Sequence, residues 1–493
     1  MGNHVIVPLI PYLIVAGTSI IVMLMIAARR MYRASFWVTV AGLCASLYAM
    51  VTIQPVLVPG GPVAVLFAFD GASRFMGVLV LAVNILTVLI SYRYFRDYQD
   101  RREEFHLLLL LETLGSLVLV ASAHVISFLL GLELLSVPLY GLLGYLRDRD
   151  LPFEAATKYF VLTAGASAII VFGFAIIYYQ TGTMSLPVLA QKFATNLDPA
   201  SAAGVALVLS GLAFKLAIFP FHMWAADVYQ GSPLPSTLVI ATASKIAVFA
   251  FLYRFLGPLL QSATGSHSGG SHTVYLAITV LAIGSMLGGN LLALRQTNIK
   301  RLLAYSSTAN LGYLLVPLAV GSADSTRAAF FYLAVYAASN LGILAMLTLF
   351  SDATTETAEL ESYTGLLYRK PAVSFGFILM ALSLAGLPLS AGFFGKLFLF
   401  ETGIAGGRWL LTSVFVAASV IALSYYLRLV YVQISRREAA PTAAEPGSAP
   451  VLTTFAANPG ALVAIAVAVL FVLAIGIFPE TLLSLLRVLL KAS

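Results

Sequence analysis

The sequence predicts an all-α polytopic membrane protein of about fourteen transmembrane helices. Three observations carry that reading. The chain is 60% hydrophobic and only 10% charged over 493 residues, against roughly 25% charged in a soluble domain. Its mean hydropathy is +0.95, and apolar runs of about twenty residues, enough to cross a bilayer, recur along its whole length. The basic residues gather in alternate loops, as a cytoplasmic face requires. A soluble enzyme, a nucleic-acid binder and a disulfide-stapled secreted domain are excluded for the chain as a whole. The net charge of +7 belongs to topology rather than to nucleic acid. One cysteine, Cys44, rules out an intrachain disulfide and all-cysteine cluster ligation.

A window of about twenty residues predicts spans near 5–27, 35–58, 72–95, 106–122, 124–146, 154–179, 202–221, 233–257, 273–293, 301–320, 326–350, 372–403, 408–432 and 457–486. Punctuation between them comes from Pro59-Gly60-Gly61-Pro62, Gly231-Ser232-Pro233 and the Gly/Ser/His run from Gly265 to Ser271. Met1-Gly2-Asn3-His4 leads almost directly into the first apolar run, with no basic region or cleavage motif, so that run is expected to be a retained helix. Loops after odd-numbered spans hold sixteen basic residues, among them Arg29, Arg30, Arg96, Arg149, Lys300, Arg301, Lys370 and Arg436. The opposite side and the C-terminal tail hold six: Lys192, Arg254, Arg327, Arg408, Arg487 and Lys491. The side with sixteen is expected to be cytoplasmic, which puts both termini outside.

Two interruptions organise the middle of the chain. Span seven ends as Phe214-Lys215-Leu216-Ala217-Ile218-Phe219-Pro220, and span twelve contains Gly386-Leu387-Pro388. Proline removes a backbone donor and clashes with the carbonyl four residues back, so each span should break or kink there. Freed backbone groups persist in a bilayer only where protein or water satisfies them. Breaks in corresponding places point to a transporter built from two repeats. Spans four to eight and nine to thirteen would be the units; five is odd, so the second must enter from the opposite side. Two unrelated kinks are the alternative. The expected organisation is spans one to three over 1–105, a first five-helix repeat over 106–258, a second, inverted one over 273–434, a flexible cytoplasmic Pro/Ala-rich loop over 435–456 and a last helix within 457–493.

Charges inside the oil single out the candidate functional residues. Arg74, Lys158, Lys215, Lys245, Lys396 and Arg428 fall within or beside apolar spans, as do Glu112 and Glu133. A mid-membrane charge costs at least about 2.5–3.5 kcal/mol on insertion scales, so each needs a partner or a wet cavity. Arg74 and Arg428 sit near span ends and can snorkel. Lys158 lies one turn after Glu154, where an interfacial ion pair explains it as well as function does. Glu133, Lys215, Lys245 and Lys396 lie deeper. One or two structural ion pairs cannot account for all four, because three lysines share one nearby acid. Burial disfavours the charged form of an amine and leaves it able to exchange protons, so these four are read as a proton relay. Tyr305-Ser306-Ser307-Thr308-Ala309-Asn310, Ser339-Asn340 and His222 supply groups able to hold water between titratable sites. His222 is retained with Glu112 and Lys158 as a secondary candidate, since imidazole titrates near neutral pH. No Walker loop, GxGxxG turn, HExxH or CxxC occurs, and the histidines do not form the facing pairs a haem needs. No metal or cofactor site is expected in this chain.

Phe214-Lys215, Phe221-His222-Met223-Trp224, Asp227-Val228-Tyr229-Gln230-Gly231-Ser232-Pro233-Leu234-Pro235 and Ser244-Lys245 together resemble the antiporter-like membrane subunits of respiratory complex I, the proton-translocating NADH:quinone oxidoreductase. So do Glu133-Leu134-Leu135-Ser136-Val137-Pro138-Leu139-Tyr140, Lys300-Arg301-Leu302-Leu303-Ala304-Tyr305-Ser306-Ser307 and Gly392-Phe393-Phe394-Gly395-Lys396. The likeness covers spans four to thirteen and is nearest to the subunit N branch, counterpart of mitochondrial and chloroplast subunit 2. The Asp-Val-Tyr-x-Gly-Ser-Pro run and a lysine rather than a glutamate at 396 favour that branch over subunit M. Subunit L would carry a long C-terminal lateral helix, which is not expected in the residues up to Ser493.

The resemblance implies fourteen helices with two inverted repeats and a mid-membrane line of charge. In it Glu133 and Lys215 form a pair, Lys245 is the central lysine and Lys396 belongs to the outlet half. It implies a bacterial inner-membrane location, L-like and M-like neighbours, and FMN, iron–sulfur clusters and quinone held by other subunits. A subunit of an Mrp-type cation/proton antiporter or membrane-bound hydrogenase remains the alternative, and a non-transporting scaffold a third.

Overall fold

The computed structural model describes residues 7–53, 65–98, 101–195, 197–263, 269–436 and 458–491. Apart from isolated bridges, the regular structure among these residues is helical. The spans are, in order, Ile10–Ala28, Tyr32–Thr52, Gly71–Tyr94, Glu104–Ala121, Val125–Leu143, Asp150–Thr181, Pro199–Leu216, the pair Leu234–Ala241 and Ala243–Ala263, Gly269–Leu294, Ile299–Val320, Ala323–Leu347, the pair Pro371–Ala385 and Ala391–Ala405, Trp409–Ile434 and Pro459–Ile477. Thirteen helices among the described residues are long and apolar enough to cross a membrane. The twelfth span is instead two half-helices, the first of them the shorter apolar helix Pro371–Ala385.

Helix starts follow local chemistry. Asp70, Asp198, Asn298, Ser322 and Asn458 each cap a helix by accepting from backbone amides of its first turn, which satisfies donors that have no intrahelical partner. Pro199, Pro371 and Pro459 open their helices, where the missing N–H costs nothing. Spans eight, ten and eleven are almost wholly enclosed by the others, whereas spans one and six expose much of their surface. Close approach is set by small residues: a Cβ on Gly115 of span four would sit 2.2 Å from the Leu135 nitrogen of span five.

Both expected breaks are present. Span seven ends at Leu216 with Ala217 left-handed at φ 57°, and the chain resumes as the short helix Met223–Gly231. Span twelve ends at Ala385 with Gly386 left-handed at φ 83° and resumes at Ala391. In each, a left-handed residue closes the first half before the proline is reached, so the helix of span seven stops five residues short of the expected 221.

Several expectations need correction. Span eight is interrupted at Thr242 (φ −129°, ψ −75°), although no proline or glycine marks the position. The last expected span, 457–486, is two helices: Pro459–Ile477 ends before Pro479, and the strongly amphipathic Pro479–Lys491 follows. An additional amphipathic helix, Leu186–Thr195, lies in what reads as a loop between spans six and seven. Met1-Gly2-Asn3-His4, the Pro59–Pro62 turn and most of the 435–456 loop lie outside the described residues, as do residues 265–268 of the Gly/Ser/His run; Gly269, Gly270 and Ser271 open span nine.

Loops after odd-numbered spans meet one another at one end of the bundle. Arg30 pairs with Glu104 at 3.2 Å, Lys300 with Glu356 at 2.8 Å, and Asn298 donates to Glu359 at 2.9 Å. Tyr94 and the Leu234 amide also donate to Glu356. At the other end, Arg254 of span eight forms a two-pronged ion pair with Asp70, at 2.7 and 2.9 Å. The alternation of loop charge is thus an alternation of ends.

The Arg254–Asp70 pair is largely buried. Burial favours the protonated carboxyl of Asp70, but the Arg254 guanidinium and the Ser73 amide outweigh it and hold the group below the usual carboxylate range. A lowered pKa means that the stabilisation is complete above the unfolded value of about 3.9 and is lost as pH falls through the folded value. Asp70→Ala strands a buried guanidinium, and we expect a loss of about 3–5 kcal/mol. Thermal unfolding of purified wild type and variant should show that gap constant from neutral pH to about pH 5 and narrowing in stronger acid.

Candidate functional site

The deep lysines come from interrupted spans. Lys215 lies two residues before the left-handed Ala217, on the first segment of span seven; Lys396 lies on the second half of span twelve. The two amines therefore sit on opposite sides of their breaks. Lys245 enters the third turn-like break, three residues after Thr242. All three side chains are buried.

Among the described residues, none of the three has a carboxylate within ion-pair distance. Lys215 donates to the Ser136 hydroxyl of span five at 2.7 Å. Lys245 donates to the Ser307 hydroxyl of span ten, and that oxygen is 2.6 Å from the Tyr336 hydroxyl of span eleven. Lys396 donates at 3.0 Å to the carbonyl of Ala385, the last residue of the first half-helix, and lies 5.2 Å from the Tyr313 ring centre. That carbonyl end carries the negative end of the half-helix dipole, and the ring offers a negative face, so both favour a cation without supplying a full charge.

The expected contact between Glu133 and Lys215 is not made. Glu133 projects from the exposed face of span five, one turn before Ser136, and the serine takes the amine in its place. The reason is geometric: positions 133 and 136 are about 60° apart around a helix of 3.6 residues per turn, and only 136 faces span seven.

Of the secondary candidates, Glu112 is fully buried, accepting from Ser116 at 2.8 Å and Asn84 at 3.0 Å, with no basic residue in contact among the described residues. Lys158 is half-exposed and held by Glu154 at 2.6 Å and Asp227 at 3.0 Å. Asp227 also accepts from Arg301 at 2.7 Å, tying span six and span ten to the helix that follows the break. His222 is buried inside the break, its ring 5.2 Å from Phe219 and 6.1 Å from Tyr305, with Nδ1 lacking a partner. Arg74 and Arg428 each donate to carbonyls at helix ends, Met50 and Leu294 respectively, both at 3.0 Å.

Between Lys245 and Lys396 runs a band of hydroxyls and amides. Ser306, next to the Lys245 acceptor, bonds Tyr426; Asn310 donates to Ser306 Oγ at 3.2 Å and accepts from Tyr332 at 2.5 Å. Asn290 donates to Tyr313, beside Lys396, and accepts from Tyr425, both at 2.9 Å. The polar run of span ten was legible as a sequence. Its tyrosine partners were not, although tyrosines far from span ends are the signal that would have found them, since the residue otherwise favours the interface.

A polytopic bundle with interrupted helices and acid-free buried lysines defines an antiporter-like membrane protein. The chain belongs to the family described as NADH:quinone oxidoreductase/Mrp antiporter, transmembrane, which it matches over residues 122–422, a segment holding Glu133 and all three deep lysines. It is 33% identical to a chain of respiratory complex I from Thermus thermophilus, solved with bound aureothin, covering 96% of this chain and 98% of that one with a TM-score of 0.81. It shares its fold with a chain of the archaeal membrane-bound sulfane sulfur reductase (22% identity, 98% and 96% coverage, TM-score 0.84). The same holds for a chain of the Mrp complex from Dietzia sp. DQ12-45-1b (24%, 99% and 97%, TM-score 0.83). All three belong to multisubunit membrane complexes.

The break of span twelve is held by a glycine contact: a Cβ on Gly392 would stand 1.7 Å from the Ser383 carbonyl oxygen. Gly392→Ala must push the half-helices apart and move the Ala385 carbonyl from Lys396. The expected cost is at least about 1–3 kcal/mol in thermal unfolding, accompanied by impaired ion transport.

Proposed function

We propose that this chain is the subunit N-type, antiporter-like, proton-translocating membrane subunit of an NADH:quinone oxidoreductase. It would sit in a bacterial inner membrane with both termini outside, next to L-like and M-like subunits. Its five-span units, 106–258 and 273–434, act as inverted repeats. The chain carries no redox centre of its own; FMN, iron–sulfur clusters and quinone are assigned to other subunits. The observation that carries the reading is the set of three buried amines, each held by a hydroxyl or a carbonyl rather than a carboxylate. A permanently charged structural lysine would be paired, whereas an amine that cycles between charged and neutral forms needs groups that tolerate both.

Glu133, Lys215, Lys245 and Lys396 carry the translocation. An ammonium that loses its carboxylate partner in a low-dielectric medium releases its proton more readily. Approach of Glu133 to Lys215 therefore loads the amine from the cytoplasm, and their separation sends the proton towards Lys245 and Lys396. Lys215 on Ser136, clear of Glu133, corresponds to the separated state. The exposure of a carboxylate on the flank of a membrane span supports a neighbouring subunit as the source of its control, since lipid alone is a costly surrounding for it.

The test is Lys215→Ala and Glu133→Ala in the assembled complex, with NADH-driven proton uptake measured in membrane vesicles. Both variants should assemble and lose pumping; wild-type uptake in either would end the account. Sodium-dependent transport in the absence of quinone reductase activity would select the Mrp-type reading instead. Intact coupled transport after neutral substitution of all four residues would select a scaffold.

A further inference from the structure

The loop after span eleven sets one carboxylate against three other elements. One oxygen of Glu356 accepts from the Leu234 amide at 2.8 Å and from the Tyr94 hydroxyl. Its other oxygen accepts from the Lys300 amine at 2.8 Å. Backbone pairing just beyond it fixes the loop on the start of span ten: Ile299 donates to the Ala358 carbonyl at 2.7 Å, and Leu360 to that of Thr297 at 2.9 Å. Lys300 is 1% exposed, so this pair is enclosed. Leu234 opens the first half of span eight, where amides have no intrahelical acceptor, and the residue before it, Pro233, offers no side-chain cap. Glu356 therefore caps span eight from another element while it pairs with span ten.

The same two helices are joined again at depth. The half-helix Leu234–Ala241 ends at the Thr242 break, and its last carbonyl, that of Ala241, accepts from the Tyr336 hydroxyl at 3.2 Å. Tyr336 is in turn 2.6 Å from the Ser307 hydroxyl, which receives the Lys245 amine. Ala241 lies two turns along span eight from Leu234, and Ser307 two turns along span ten from Lys300. At 1.5 Å per residue each stretch runs about 10.5 Å and returns to nearly the same helix face. The contacts therefore close a circuit, from Glu356 along span eight to Tyr336 and Ser307, and back along span ten. Two struts of equal length joined at both ends cannot slide past one another without breaking a join.

We infer that Glu356 is a positioning residue for the lysine line: by joining the starts of spans eight and ten it sets their register, and with it the contact between Lys245 and Ser307. Glu356 takes no proton itself and touches neither of those residues. Without its grip, either span can shift along the other and carry the serine away from the amine. A misplacement of about 1 Å can cost up to about a hundredfold in rate. Tyr94 of span three orients the carboxylate between its two holds. This rests on the proton-translocating reading above and adds a residue outside the charges that reading contains.

The experiment places Glu356→Gln, Ser307→Ala, their combination and Lys245→Ala in the assembled complex, in vesicles with a trapped pH-sensitive dye. NADH-driven proton uptake and thermal stability are recorded together. Each of the first two changes should lower uptake by at least about fivefold. Because both act on one contact, the combination should fall little below the lower of the two, whereas independent effects multiply to about twenty-five-fold. Glu356→Gln also strands the Lys300 ammonium, so Glu356→Gln with Lys300→Met serves as a second variant. It should regain thermal stability and keep the low uptake. Recovery of uptake together with stability would make Glu356 a purely structural residue and overturn the inference. Multiplying effects would overturn it too, as would wild-type uptake in Glu356→Gln beside a loss in Lys245→Ala, which leaves the lysine line standing. Normal pumping by Lys245→Ala would remove the proton-translocating reading, and the positioning role with it.

Discussion

An ammonium in hydrocarbon is the constraint from which the rest of this structure follows. Each deep lysine must be surrounded by protein that tolerates a charge, and among the described residues none has a carboxylate in contact. What it has is a hydroxyl, a carbonyl at a helix end, or the face of a tyrosine. Such groups stabilise a cation less than a carboxylate does, and they lose less when the cation is discharged. The environment is therefore matched to a group whose charge changes, and a fixed ion pair of the Arg254–Asp70 kind, found at the end of the bundle, shows the contrast.

The interruptions of spans seven, eight and twelve belong to the same constraint. A continuous membrane helix satisfies all its carbonyls internally and offers a buried amine nothing but side chains. Ending the helix within the bundle frees carbonyls such as those of Ala385 and Ala241, and these receive Lys396 and Tyr336. The enclosed spans ten and eleven supply the hydroxyls that face the breaks, and span ten, which carries most of them, has the lowest mean hydropathy of the candidate spans among the described residues. The peripheral spans have no such task and present aliphatic and aromatic side chains outward.

Much of this was legible in the residues. The breaks at Pro220 and Gly386-Leu387-Pro388 follow from the chemistry of proline, and the candidate lysines follow from the cost of burying charge. The interruption at Thr242 was not legible, because no proline or glycine marks it. Neither was the serine that replaces Glu133 as the contact of Lys215, since the choice depends on how span five is rotated against span seven. Lys158 reads as an ion pair with Glu154, and it is one, but its second partner Asp227 lies on a helix that only the break of span seven brings near.

The sequence alone determined that the chain lies in a membrane, roughly where it crosses, and which few charged residues must be enclosed, because hydropathy and the cost of burying charge act residue by residue along the chain. The tertiary structure decided which groups meet those charges. Contacts such as Lys245 with Ser307, or Asn290 with Tyr313 and Tyr425, join residues from different spans. A helix's azimuth and depth are fixed by packing against its neighbours, and no local pattern encodes them.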